Sequence, residues 1–222
     1  ATKAMIAEYF GGIPRAADPP EVTCTSQFGP GEIRRNWPDP RATLPAVFVA
    51  YRIPPYADPD QPALVLLSTI LGGGESSRLN RTIVRDRPLA QAAFAGANIP
   101  APRRGPSVMF VAAIANQGVS VDSLERGIAA QVQGVIDGGV TAAELEKAKN
   151  SYVAGKIQEQ QISLFLAEAI QTANMFLGDP AKVNTDPARF LAVTIADIKR
   201  VAGKYLVPAN AMVVLVTPGA AQ

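Results

Sequence analysis

The chain has 222 residues, 48% of them hydrophobic and 18% charged, a globular balance with enough length for one large core or two small ones. A net charge of +2 gives no pull toward nucleic acid or a membrane surface, and the longest apolar runs, such as Ala63 to Leu71, are far too short to span a bilayer. There is no histidine and one cysteine, Cys24, which excludes Ser-His-Asp and Cys-His catalysis, imidazole or multi-thiolate zinc sites and an internal disulfide within this chain.

In chain order, Ala1 to Phe10 reads as a helix with Met5, Ile6, Tyr9 and Phe10 on one side, stopped by Gly11 and Gly12. Ala1 lies inside this pattern with no leader before it, so the chain reads as a piece of something longer. Ile13 to Pro30 carries Pro14, Pro19, Pro20 and Pro30 and little apolar bulk, the composition of a connector. Cys24 falls in that connector, a poor setting for a nucleophile. Glu32 to Trp37 is a candidate first strand, and Leu44 to Ile53 a stronger one, closed by Pro54 and Pro55. Asp58 to Leu71 reads as a helix with Pro59 in its first turn.

Three glycines, Gly72, Gly73 and Gly74, then interrupt the pattern. A second helix is expected over Glu75 to Arg87, capped by Ser76 or Ser77 and carrying Arg78, Arg81, Arg85 and Arg87. Glycine tolerates backbone angles that other residues resist, so the triplet marks a sharp joint between two helices. The joint would set basic side chains and open amides beside a tight turn. It could equally be a plain corner with a solvated basic face. A phosphate loop is a poor match, because a helix precedes the glycines and no lysine follows them.

Leu89 to Ile99 and Ser107 to Ala115 are read as an antiparallel pair of strands around a basic turn, Pro100 to Pro106. Val121 to Ile136 is an amphipathic helix, with Leu124, Ile128 and Val132 on one side. Thr141 and Glu144 form a capping-box signature for a helix that could run to Leu177, with a break expected near Gln158 to Ser163. Asp186 to Val193 and Ile195 to Leu206 are shorter helices, the latter begun by Thr194, and Ala211 to Thr217 is a last strand. Hairpin-like strands with segregated helices give an α+β fold, a mixed and largely antiparallel sheet covered by helices on one face.

At this point the motifs become specific. Tyr51-Arg52-Ile53-Pro54-Pro55 is followed by Ile70-Leu71-Gly72-Gly73-Gly74, Ser76-Ser77-Arg78-Leu79 and Val84-Arg85-Asp86-Arg87-Pro88-Leu89-Ala90. Further on come Gly139-Val140-Thr141-Ala142-Ala143-Glu144-Leu145 and Val193-Thr194-Ile195-Ala196-Asp197-Ile198. Together they resemble the C-terminal homology domain of the insulinase/pitrilysin family of zinc metallopeptidases, which includes the mitochondrial processing peptidases. Residues 1–30 are similar to the end of the preceding domain and its linker, and 31–222 to the homology domain itself.

The resemblance implies two similar domains enclosing a peptide chamber, with zinc on an inverted His-x-x-Glu-His motif of the N-terminal domain. This chain supplies neither metal ligand nor catalytic residue. By the resemblance it would be the substrate-binding, non-zinc half, expected to cleave nothing alone, or else an inactive scaffold or subunit of the same fold. In active relatives this half contributes an Arg/Tyr donor pair after the glycine joint, placed against the substrate near the scissile bond. The matching arginine is Arg85. The tyrosine, seven residues on, falls at Ala92, or at Gln91 if the intervening loop is one residue shorter. Arg85, Gln91 and Gly72 to Gly74 are therefore the expected substrate-binding residues. The implied partners are the N-terminal zinc domain, in the same protein or a partner subunit, and a peptide, with a homodimer as a further possibility. The resemblance leaves the bacterial periplasm, with the cytoplasm as the alternative, as the compartment.

Overall fold

The computed structural model describes residues 1–18, 20 and 31–219, so most of the expected connector, Cys24 included, lies outside the described residues. Five strands form one sheet in the order β1-β5-β2-β4-β3: β1 Ile33–Asp39, β2 Ala46–Ile53, β3 Ala90–Ala97, β4 Ser107–Ala115 and β5 Ala211–Pro218. Every neighbouring pair is antiparallel except β1 with β5. The sheet is thus mixed and largely antiparallel, as the strand spacing predicts. Pro38, which cannot donate to a ladder, sits in β1 at one edge of the sheet, where that loss is tolerated.

Alternation in the strands gives the sheet two unlike faces. Val47, Val49, Tyr51 and Ile53 of β2 are buried, as are Met109, Val111 and Ala113 of β4 and Val213 and Leu215 of β5. They face α2 (Gln61–Gly72), α3 (Val121–Gly138) and α7 (Ile195–Tyr205). Ten of the twelve residues of α2 are buried, among them Leu64, Leu66, Leu67 and Leu71 at 0% exposure, because this helix is covered on several sides. It packs between the sheet and α4 (Ala142–Gln160), α6 (Asp186–Leu191) and α7. A helix apolar all round needs such a place.

No helix covers the other face among the described residues. There Phe48 opposes Val214 and Ala112, Phe94 meets Phe110 edge-on at 5.8 Å, and Trp37 is 62% exposed. The helix α1 (Thr2–Phe10) is also unburied, leaving Met5, Ile6, Tyr9 and Phe10 more than half exposed.

Most helix boundaries fall close to expectation. The expected capping box and break both form: Thr141 and Glu144 cap α4 reciprocally, and α4 gives way to α5 (Ser163–Leu177) at Gln161 and Ile162. Thr194 begins α7, and Asp197 completes a second box there. Two expectations need correction. The helix α2 starts at Gln61 rather than Asp58, with Pro62 instead of Pro59 in its first turn. Asp60, its N-cap, has its carboxylate engaged by α7: Arg200 donates at 2.7 Å, Lys204 at 2.9 Å and the Tyr205 hydroxyl at 2.8 Å. Burial pushes the Asp60 carboxyl up, but these donors outweigh it and hold it at about 2.

The second correction concerns the arginine-rich segment. Helical structure begins only at Arg78, not at Glu75, and Asn80–Asp86 is a π-helix. Neither Ser76 nor Ser77 caps it. Ser77 is buried instead, and its hydroxyl accepts from the Asn80 side chain.

Candidate functional site

The glycine joint forms as the sequence predicts, but its three residues answer different demands. At Gly72 the end of α2 lies directly on β3: a Cβ there would come within 2.1 Å of the Ala95 amide nitrogen and 2.5 Å of the Phe94 carbonyl carbon. Gly73 donates its amide to the Thr69 carbonyl at 2.8 Å and closes the helix. Gly74 has φ +91°, a conformation that L side chains avoid. Close approach, helix closure and positive φ together turn the chain within three residues.

Side chains then fix the segment beyond the joint. Asn80 Nδ2 donates to the Gly74 carbonyl at 3.2 Å and to the Ala93 carbonyl at 2.9 Å, tying the π-helix to both the joint and the edge strand β3. Arg78 is 17% exposed in its side chain, and grips both oxygens of Glu144 at 2.7 and 2.8 Å and the Gly139 carbonyl at 3.0 Å. The guanidinium holds the Glu144 carboxyl down at about 2, against the upward push of burial and with help from the Thr141 amide. Lys147 of α4 hydrogen-bonds the Ser76 hydroxyl. Arg78 is thereby a structural clamp between the π-helix and the start of α4.

The remaining arginines differ from it. Arg81, Arg85 and Arg87 are exposed, and among the described residues their side chains form no ion pair or hydrogen bond. Arg85 occupies the last turn of the π-helix, where the free carbonyl end favours a cation. Arg87 leaves helical geometry with φ −126°, its amide bonded to the Thr82 carbonyl at 3.0 Å in the wide π spacing. Three residues later β3 begins. Gln91 is exposed at a register irregularity between Ala90 and Ala92, an extra residue that frees its side chain from the ladder. Arg85 and Gln91 therefore flank one short connection, Arg87 to Leu89, at the sheet edge. Gly72 lies against the same strand but presents backbone rather than a side chain.

This arrangement offers hydrogen-bond donors, with Asp86 as the carboxylate between Arg85 and Arg87. The described residues contain no cluster of three His, Cys, Asp or Glu side chains able to hold a metal ion, and the sequence has no histidine. The chain's donor set does not fit zinc. Asn80 and the Arg78–Glu144 clamp could not be singled out from spacing, because their partners lie up to 66 residues away. A cavity of about 610 Å³ opens at the opposite end of β3, beside Ala97 and Asn98.

A family model described as the peptidase M16 inactive domain matches residues 1–152. The zinc protease PqqE of Helicobacter pylori is 31% identical over 173 residues, covering 78% of this chain and 38% of that protein. Among solved structures, a protease from Helicobacter pylori superposes with a TM-score of 0.84 at 24% identity, over 97% of this chain and 52% of that one. The periplasmic protease PqqL from Escherichia coli does so at 0.75 and 17% identity, over 98% of this chain and 24% of that one. The chain thus spans about half or less of the length of these relatives.

Proposed function

Because the chain belongs to the peptidase M16 inactive-domain family, we propose that it is the non-zinc, substrate-binding half of a zinc metalloendopeptidase. The observation that carries this reading is Arg85. It is an exposed guanidinium with no partner among the described residues, at the end of a helix whose neighbouring arginine, Arg78, is fully engaged. A cation held on a rigid element but left without a partner suits the recognition of a peptide carbonyl. The zinc-bearing domain, in the same protein or a partner subunit, completes the chamber and supplies the chemistry. Residues 1–30 belong with that preceding domain, which fits the unburied apolar side of α1.

The uncovered face of the sheet is where the other half rests. An exposed apolar face that includes Trp37 and Phe48 is costly in water and marks an interaction surface. The periplasm is the compartment we favour, since PqqL of Escherichia coli, which shares the fold, is a periplasmic protease.

A second reading is an inactive subunit of the same fold. It is favoured by Gln91 and Ala92, which stand where a phenol would complete the donor pair. The two readings separate on one experiment. The chain purified alone should neither bind stoichiometric zinc nor cleave peptides, and addition of the zinc-bearing half should yield hydrolysis faster than that half gives alone. Zinc-dependent cleavage by the isolated chain would overturn both readings. No gain on mixing would leave only the inactive subunit.

A further inference from the structure

The cavity beyond the end of β3 has a composition of its own. It lies at the elbow between α4 and α5 and is bordered by the loop after β3 and by α6. Its volume of about 610 Å³ falls within the range of sites for small organic ligands. Tyr56, Tyr152, Phe165 and Phe190 supply aromatic surface to its wall; Tyr152 stacks on Phe190 at 3.7 Å and already carries Lys156 Nζ 5.7 Å from its ring centre, so Tyr56 and Phe165 are the rings left to a ligand.

The charged side chains that line it are mostly acidic, Glu159, Glu168 and Asp186 against Lys156. Glu159 is paired with Lys156 at 2.7 Å, and Asp186 with Arg189 at 2.8 Å. Glu168 lines the same wall and has no ion-pair partner among the described residues, so one negative charge is left over. Burial pushes the Tyr56 phenol up to about 12 and raises that of Tyr152 too, with the Asp186 charge adding to both. Both rings therefore stay uncharged and electron-rich at any physiological pH.

We infer that this cavity binds an organic ammonium group on an apolar stem. Aromatic faces attract a cation through the ring quadrupole, Glu168 supplies the opposite charge, and the apolar wall takes the stem. A neutral ligand of the same shape uses only the last of these. An anion meets Glu168, and the cation among the lining residues, Lys156, is already paired with Glu159. The site stands about 23 Å along β3 from the Arg85 end, at 3.3 Å per residue, and it does not rest on the peptidase reading.

The test is calorimetric titration of the 222-residue chain with benzylammonium and with benzyl alcohol, its neutral counterpart. Benzylammonium should bind saturably and about tenfold more tightly, the discrimination expected of one cation–aromatic contact reinforced by a carboxylate. Glu168→Gln should weaken benzylammonium several-fold and leave the alcohol nearly unchanged, and Phe165→Ala should weaken benzylammonium several-fold and the alcohol less; both positions are solvent-accessible, and thermal unfolding should be unaltered. N-acetyl-lysine methylamide against its norleucine analogue separates the two sources of the ammonium. Tighter binding of the lysine compound assigns the site to a peptide side chain, and binding of benzylammonium alone assigns it to a small free amine. Equal affinity for ammonium and alcohol, no saturable binding of either, or indifference to both substitutions would overturn the inference.

Discussion

Replacing Gly72 by alanine tests the junction on which the placement of Arg85 depends. The new Cβ would sit 2.1 Å from the Ala95 nitrogen, 2.5 Å from the Phe94 carbonyl carbon and 2.8 Å from the Ala95 Cβ. Ordinary contacts between such atoms are about 3.5 Å, so the end of α2 and the edge strand must separate by more than an ångström. Two of the three atoms are backbone and cannot rotate aside. Overpacking of a core side chain costs about 1–3 kcal/mol, occasionally more. A backbone clash belongs at the upper end, and the roughly 1 kcal/mol that alanine gains over glycine in a helix offsets part of it. The net expectation is a loss of about 2 kcal/mol, or a fall in Tm of roughly 4–8 °C for a chain of this size. Urea unfolding measures it, and amide exchange at Phe94 and Ala95 should accelerate together. Gly134→Ala is the control: this exposed glycine in α3 has nothing within 4 Å of its would-be Cβ, and the change should stabilise by about 0.5–1 kcal/mol. If Gly72→Ala unfolds at the wild-type urea concentration, the close approach is not what demands glycine.

Other consequences can be measured on the same chain. The carboxyls of Glu144 and Asp60 lie at about 2 in the fold, below their ordinary 4.5 and 3.8. A depressed carboxyl contributes stability that is complete above its unfolded value and disappears as pH falls through the folded one. Stability measured by urea unfolding should therefore drop between pH 4.5 and 2 and, with no histidine present, stay nearly flat from pH 6 to 8; a marked slope in the latter interval would contradict the assignment. Arg78→Ala, Glu144→Ala and the double variant should give a coupling energy of about 1–3 kcal/mol, since this pair is bidentate and mostly buried. A value near zero would return it to an ordinary surface pair. Trp37→Glu should leave the unfolding curve of the isolated chain within about 0.5 kcal/mol of wild type, its side chain being exposed, while weakening association with the zinc-bearing half in analytical ultracentrifugation. Unchanged association would place the contact elsewhere.

Much of the fold was legible because its signals are local. The alternation in Ala46–Ile53 and Ser107–Ala115, and the Thr141–Glu144 pair, each carry their structural meaning within a few residues. The π-helix was not legible, since Asn80–Asp86 has the composition of an ordinary helix and widens through contacts of Asn80 and Arg78 with distant partners. The start of α2 was misjudged for a related reason: Asp60 is held by α7, some 140 residues on, and the first turn forms where that clamp permits. For the site, the glycine triplet was found by spacing alone. That Arg78 is a clamp while Arg85 is free could not be, because four arginines in one segment look alike until the position of Glu144 is known.

The most direct measurement compares wild type and Arg85→Ala in a peptidase assay with the zinc-bearing half supplied. If Arg85 holds the peptide carbonyl, kcat/KM should fall by about 10- to 1000-fold, with the urea unfolding curve of the chain unchanged. Wild-type kinetics from the variant would contradict the proposed role and make Arg85 a surface residue of an inactive half.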